Sequence, residues 1–437
     1  MERLLQHSRT AKLLLAAVLT VWSVRPAEAM IMTIKPDPMT GEFHLTAGEG
    51  YIYTPDGGSY YMWGYGAGHA MMAMMQYPGP TLEVNEGDTV TVVLDNMLPV
   101  PVSIVFPGQQ GVTATGGMAG LLTQEVDAMG MGGPVTYSFT ASEPGTYAYY
   151  SGTQPELQCE MGLVGAIIVR PMGAPMGENW AYNHADSQYT REYLFLLTEM
   201  DPVVHDLAEW GMWDMIDLTA YWPVMWFING RCAPDTMLPD HWPLLPYQPY
   251  SCMPQMHPGD RLLCRFVGGG RDLHPFHTHG QNMLQIARDG RLLSSGPGAG
   301  ADLAESDFTL TVAPGETADT IYQWTGANLG WDMYGHAESD PPVAGEHLPD
   351  HGKPFPVLLP GATEVTFGTM YSGSPFLGAM GSLPPGEGGF NLHGGYMHMW
   401  HSHNEKEMVN NDLFPGGLMT MLMIEHPDTP IDEMMMP

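Results

Sequence analysis

The sequence predicts an all-β protein built from two tandem sandwich modules, on three observations. Short segments of alternating apolar residues recur, cut by Gly, Pro, Asn and Asp. Long helical periodicity is absent, the one helical stretch being TEMDPVVHDLAEWGM, Thr198 to Met212. Finally, the two halves repeat one order of segments, which two modules explain better than one.

In chain order, the first 29 residues read as a secretory signal: Arg3, Arg9 and Lys12, an apolar run from Leu13 to Val24, then Ala27-Glu28-Ala29 as a cleavage site. The run is too short to span a bilayer, and no later stretch approaches a spanning length. The first module is expected over 30–172. Its strands are TLEVNEGDTVTVVLDN (Thr81 to Asn96), VTYSFTAS, GTYAYYSG and LVGAIIV, all rich in Thr, Val and Tyr. PMGAPMGENWAYNHADSQYT lacks alternation and marks the boundary between 172 and 190. The second module, 190–437, opens with REYLFLLTEMD and carries loop-like insertions at 298–315 and 328–360. Its PGD turn before RLLCRFV echoes the EGD turn at Glu86 to Asp88. Laying Tyr147 on His398 places YAYYSG on HMWHSH, each followed by a Gly-rich return and a final apolar strand.

Composition narrows the function. With 15 basic against 48 acidic residues and a net charge of −33, the surface repels nucleic acid and anionic membranes and attracts cations. Cys159, Cys232, Cys252 and Cys264 show no CxxC or CxxxH spacing, which excludes a thiolate metal cluster and leaves room for zero to two disulfides. Methionine is the outlier, at 36 residues. Thioethers are soft ligands suited to Cu(I) and also ordinary core fillers. HAMMAMMQ (His69 to Gln76) and AMGMGG (Ala128 to Gly133) sit in loop-like settings that suit metal contact, whereas MTMLM (Met419 to Met423) reads as core.

The chemistry concentrates in histidines. LHPFHTHG holds His274, His277 and His279, and HMWHSH ends in His401 and His403. Strand side chains alternate faces, so His277 pairs with His279, and His401 with His403. If the two strands adjoin, four imidazoles converge on one ion, a donor set that suits copper, zinc, iron or nickel. By the same parity Met397 and Met399 share the face of His401, while His398, Trp400 and Ser402 take the other. Glu405, Glu407 and Asp412 are nearby in sequence.

GPTLEVNEGDTVTVVLDNMLP, GTYAYYSG followed by MGLVGAIIVRP, FINGR, HPFHTHG and MWHSHNEKEM followed by GGLMTMLMIE together resemble the multicopper oxidase family, laccases and copper-resistance oxidases included. The resemblance implies tandem cupredoxin-like Greek-key β-sandwich domains, a copper cofactor, and, at this two-domain size, a homotrimer. It matches His277, His279, His401 and His403 to half of the eight trinuclear-copper ligands, and His274 to a type 1 copper ligand. The other positions depart from the family pattern. Val105 to Gly108 and Tyr150 to Gly152 replace the first-module motifs, Ser402 replaces the type 1 cysteine, Glu407 its second histidine, and Asp412 holds the axial position. A serine hydroxyl cannot supply the thiolate of a blue site, so fewer than four coppers are expected and the usual four-electron mechanism is not. The function expected is an exported copper-binding protein, periplasmic or extracellular, that handles or sequesters copper through His274, His277, His279, His401 and His403 and its Met-rich segments. The alternative is a copper-dependent oxidoreductase acting on a metal ion or small molecule with this reduced set. A metal-free scaffold with vestigial histidines is a third.

Overall fold

The structure, a computed structural model, describes residues 31–354, 373–376 and 395–431. The signal reading over 1–29 lies outside them. Among the described residues no helix is long and apolar enough to cross a membrane.

Strands dominate, as the alternation predicts. Thr89–Asn96 alternates half-buried and buried along most of its length, so one face enters a core and the other stays near solvent. In the first half a six-stranded sheet is ordered Met74–Gln76, Ser59–Ala67, Phe43–Tyr53, Thr89–Asn96, Val135–Thr140, Gln110–Gly116. A three-stranded sheet, Gly145–Tyr150, Val164–Arg170, Leu82–Asn85, shares its core through Leu82, Val84, Ile167 and Val169. In the second half one sheet runs Met225–Ile228, Arg191–Met200, Arg261–Gly268, Thr317–Gln323, Met283–Arg288, Arg291–Leu292. Its partner runs Gln255–Met256, Met419–Ile424, Gly395–Ser402, His274–Thr278, Thr309–Val312.

The repeat read from sequence is a repeat of topology. In each half the closing strand pairs antiparallel with the final strand, which runs parallel to the strand before the xGD turn. In each half the strand after that turn lies parallel to the opening strand, Phe43–Tyr53 or Arg191–Met200. Gly87 and Gly259, at φ +86° and +84°, give both turns the left-handed residue they need.

Two local readings change. The helix is shorter than Thr198 to Met212: Thr198 to Met200 finish a strand, and the helix spans Pro202–Glu209. Asp201 fixes its start by accepting from the Val203 amide at 3.0 Å, with Pro202 in the first turn, where a missing N–H costs nothing. The 298–315 insertion is not all loop either. Its TLTV segment forms Thr309–Val312 and edges the histidine strand.

The halves are joined by an apolar cluster that includes Ile168, Val164, Leu194, Leu196 and Phe227. Beside it lies a buried ion network. Arg170 Nη2 meets Glu192 Oε1 at 2.6 Å, and Arg265 Nε meets Glu192 Oε2 at 2.8 Å. Burial pushes the Glu192 carboxyl up, but the Arg170 and Arg265 guanidiniums outweigh it and hold it at about 2. All four cysteines are free thiols.

Candidate metal centre

The strand His274–Thr278 lies between Thr309–Val312 and Gly395–Ser402. The register sets His277 directly opposite His401, and the two-residue strand period carries His279 to the same face. The imidazoles therefore meet. Ring centroids of His277 and His279 lie 4.8 Å apart, those of His277 and His401 5.4 Å, and those of His279 and His401 5.0 Å. All three residues are buried, and each offers a ring nitrogen within 4.8 Å of the others. His403 is exposed and stands at the rim, its ring centroid 4.8 Å from that of His277.

The outer hydrogen bonds decide which nitrogens face inward. His277 Nδ1 lies 2.8 Å from the Phe308 carbonyl and 3.1 Å from Thr309 Oγ1, and His401 Nδ1 lies 2.6 Å from the Ser402 carbonyl. A carbonyl only accepts, so these Nδ1 atoms carry the proton and leave Nε2 as the lone pair. His401 Nε2 is 3.1 Å from His279 Nε2. Two nitrogens each about 2.0 Å from one tetrahedral ion lie about 3.3 Å apart, so the spacing fits a shared metal. Burial, reinforced by neighbouring imidazoles, lowers His277 and His401 to about 4. Both rings are thus neutral at neutral pH, the form in which an imidazole nitrogen can bind a metal.

His274 does not join them. It is fully buried, with Nε2 3.0 Å from Glu199 Oε2 and Nδ1 3.0 Å from Glu407 Oε2. Burial alone would lower its pKa, but the two carboxylates raise it to about 9. Ser402 Oγ donates to the same Glu407 oxygen at 2.7 Å, Asn404 donates to the other at 3.0 Å, and the Arg271 and Asp272 amides donate to Glu199 Oε1. Three of the four positions that the resemblance gives to type 1 copper, His274, Ser402 and Glu407, form one closed ionic network with both imidazole nitrogens engaged.

These opposite shifts set opposite pH limbs. The unfolded chain titrates histidine near 6.5. Between about pH 4 and 6.5 it binds protons that folded His277 and His401 refuse, so stability falls on acidification through that window. Between about 6.5 and 9 folded His274 keeps a proton that the unfolded chain has released, so stability falls as pH rises. Thermal unfolding of metal-free protein should show both limbs, and His274→Ala should flatten the alkaline one.

The first half shows what stands where the other ligands would be. Val105 forms a single bridge with Tyr150, the counterpart of His277 opposite His401. Phe106 packs among Tyr137, Phe139 and Tyr149, and Ser151 Oγ donates to Gln158 at 2.6 Å. Val105, Pro107, Tyr150 and Gly152 thus hold the ligand positions, and Phe106 and Ser151 between them are engaged in apolar packing and a neutral hydrogen bond.

Two groups of methionines stand out among the described residues. HAMMAMMQ and AMGMGG come together: Met71, Met72, Met74, Met75, Met97 and Met129 line one groove of about 710 Å³. Beside His401, Met399 pairs across strands with Met421, and Met397 with Met423. All four are half-buried and share the face of His401. MTMLM is thus only partly core: Leu422 and Met419 are buried, while Met421 and Met423 extend a thioether row. The sequence reading missed three contributors, namely Glu199, Phe308 and Thr309. The alternation in TLTV was the one available signal, since nothing local marks Glu199 or the Phe308 carbonyl.

Residues 59–173 match the family model described as multicopper oxidase. The chain is 29% identical over 178 residues to a copper resistance protein A homolog of Pseudomonas syringae pv. tomato, a match covering 40% of this chain and 26% of that protein. It is 38% identical over 100 residues to the iron transport multicopper oxidase fetC of Epichloe festucae, covering 22% and 15%. The matches thus span about a quarter or less of these relatives. Among solved structures, the multicopper oxidase mgLAC superposes with TM-score 0.55 at 20% identity, over 90% of this chain and 88% of that one. The blue copper oxidase from Nitrosomonas europaea gives 0.54 at 20% identity, over 89% and 88%. The fold is therefore all-β, of cupredoxin-like sandwiches, as the sequence predicts.

Proposed function

We propose that this chain, which carries a multicopper oxidase domain, is an exported copper-binding protein that handles or sequesters copper rather than passing electrons through a type 1 centre. The observation that carries this reading is the convergence of three buried imidazoles, those of His277 and His401 neutral, beside a row of thioethers. His277, His279 and His401 would hold the ion, with His403 at the rim. Copper bound there supplies a one-electron redox centre.

The chain's own residues do the rest. Phe308 and Ser402 carbonyls fix the ring tautomers. Burial keeps protons off His277 and His401. The Met397, Met399, Met421 and Met423 row and the Met groove present soft sulfur that favours Cu(I) over harder ions. His274, locked between Glu199 and Glu407, is assigned a positioning role that holds the strand ends together. The similarity to a copper resistance protein homolog over part of the chain supports the same direction.

One observation favours the alternative, a copper-dependent oxidoreductase. Three histidine ligands leave an open coordination position, and exposed His403 puts the cluster near solvent. Loading the protein with Cu(I) and Cu(II), counting bound metal and assaying phenol, diamine and metal-ion oxidation under oxygen separates the two. Stoichiometric copper without turnover is expected. Turnover abolished by His277→Ala would establish the alternative, and absence of specific copper would leave only a scaffold.

A further inference from the structure

A second cluster lies in the described part of the 328–360 insertion, away from the first in the chain. Asp332, His336, Glu346 and His351 each offer a ligand atom, and all four atoms fall within 4.8 Å of one another. The pattern is regular. His336 Nδ1 lies 3.4 Å from Asp332 Oδ2 and 3.3 Å from Glu346 Oε1. His351 Nδ1 lies 3.7 Å and 2.8 Å from the same two oxygens. Four ligand atoms at about 2.0–2.1 Å from a tetrahedral ion stand about 3.3 Å apart along each edge. Three of these four N–O edges lie within a few tenths of an ångström of that value, and the fourth is shorter.

The side chains are also mostly withdrawn from water, with exposures of 0% for Asp332, 3% for Glu346, 14% for His351 and 17% for His336. Two carboxylates buried side by side repel unless a cation lies between them. Each ligand is aimed from behind. His351 Nε2 is 2.9 Å from the Asp340 carbonyl, which fixes the ring and turns Nδ1 toward Glu346 Oε1, where a metal ion would replace the proton now shared at 2.8 Å. Tyr334 and Gly352 amides donate to Asp332, and the Val343 amide donates to Glu346, at 2.8–2.9 Å. His336 stacks on Tyr334 with planes 4° apart.

We propose that Asp332, His336, Glu346 and His351 form a closed tetrahedral site for a divalent cation of borderline softness, Zn2+, separate from the copper cluster. Two imidazoles and two carboxylates with no position left open are a structural donor set rather than a catalytic one. Between Gln323 and Lys353 the described chain has only the short helical turn Leu348–Asp350, so a metal clip gives this insertion an order that its backbone does not.

The test uses the full chain with His277→Ala and His401→Ala, which removes the first cluster from the count. After chelation and dialysis, titration with Zn2+ should show one tightly bound ion per chain, and Co2+ in its place should give tetrahedral d–d absorption. Zn2+ should also slow proteolysis within 328–353. Adding Glu346→Gln, which keeps size and backbone contacts, should weaken Zn2+ by at least about tenfold, and His336→Ala with His351→Ala by at least about a hundredfold. No Zn2+ bound in this background, or unchanged affinity in the Glu346→Gln protein, overturns the site whatever the copper cluster does.

Discussion

His277→Ala combined with His401→Ala should lower copper affinity at the cluster by at least about a thousandfold, beyond the 10–100-fold typical of losing an outer-shell partner. The two rings face each other across adjacent strands and supply two of the three convergent nitrogens. Neither is required for folding in the sense that a charged core group is, because both are neutral when buried. His274→Ala should behave the opposite way. It should leave copper stoichiometry unchanged but strand Glu199 and Glu407 without their shared cation, at a stability loss of about 3–5 kcal/mol. Competitive copper titration and calorimetry on both variants check the pair. Loss of a copper ion in His274→Ala, with His277→Ala/His401→Ala still fully loaded, would reverse the assignment of the two sites.

Much of this centre was legible because strand parity is a strict rule. HPFHTH and HMWHSH each place their paired histidines on one face, while the pairing of the two strands was a condition that parity left open and the sheet meets. The same parity sent Ser402, Trp400 and His398 into the core, where they are. Parity could not locate Glu199. That residue approaches His274 from a strand 75 positions away, and only the packed sandwich brings it there. Nor did alternation expose the Asp332 cluster, whose ligands sit on an irregular loop held by backbone amides, without a period to read. The helix start was missed for a different reason. An apolar strand running directly into a capped turn has no break in composition, and only Asp201-Pro202 marks the change.

The closed network around His274 makes a sharper expectation. Glu407 Oε2 is 3.0 Å from His274 Nδ1 and 2.7 Å from Ser402 Oγ, so three side chains already meet at one point. Replacing Ser402→Cys and Glu407→His together puts a thiol and a second imidazole where hydroxyl and carboxylate now meet His274, the His2Cys donor set of blue copper sites. Removing the Glu407 charge also withdraws one of the two groups that keep His274 protonated, so its Nδ1 gains a lone pair while Glu199 still holds Nε2. The double variant should therefore take up an additional Cu2+ and develop intense thiolate-to-copper charge-transfer absorption, which the parent protein and Glu407→His alone lack because neither has a thiolate there. Oxygen reduction should not follow, because Val105 and Tyr150 still stand where the first half would need imidazoles. A double variant that binds the extra Cu2+ without that absorption would mean that the cysteine sulfur does not reach the metal. In that case the convergence on Glu407 would not be a copper geometry in disguise.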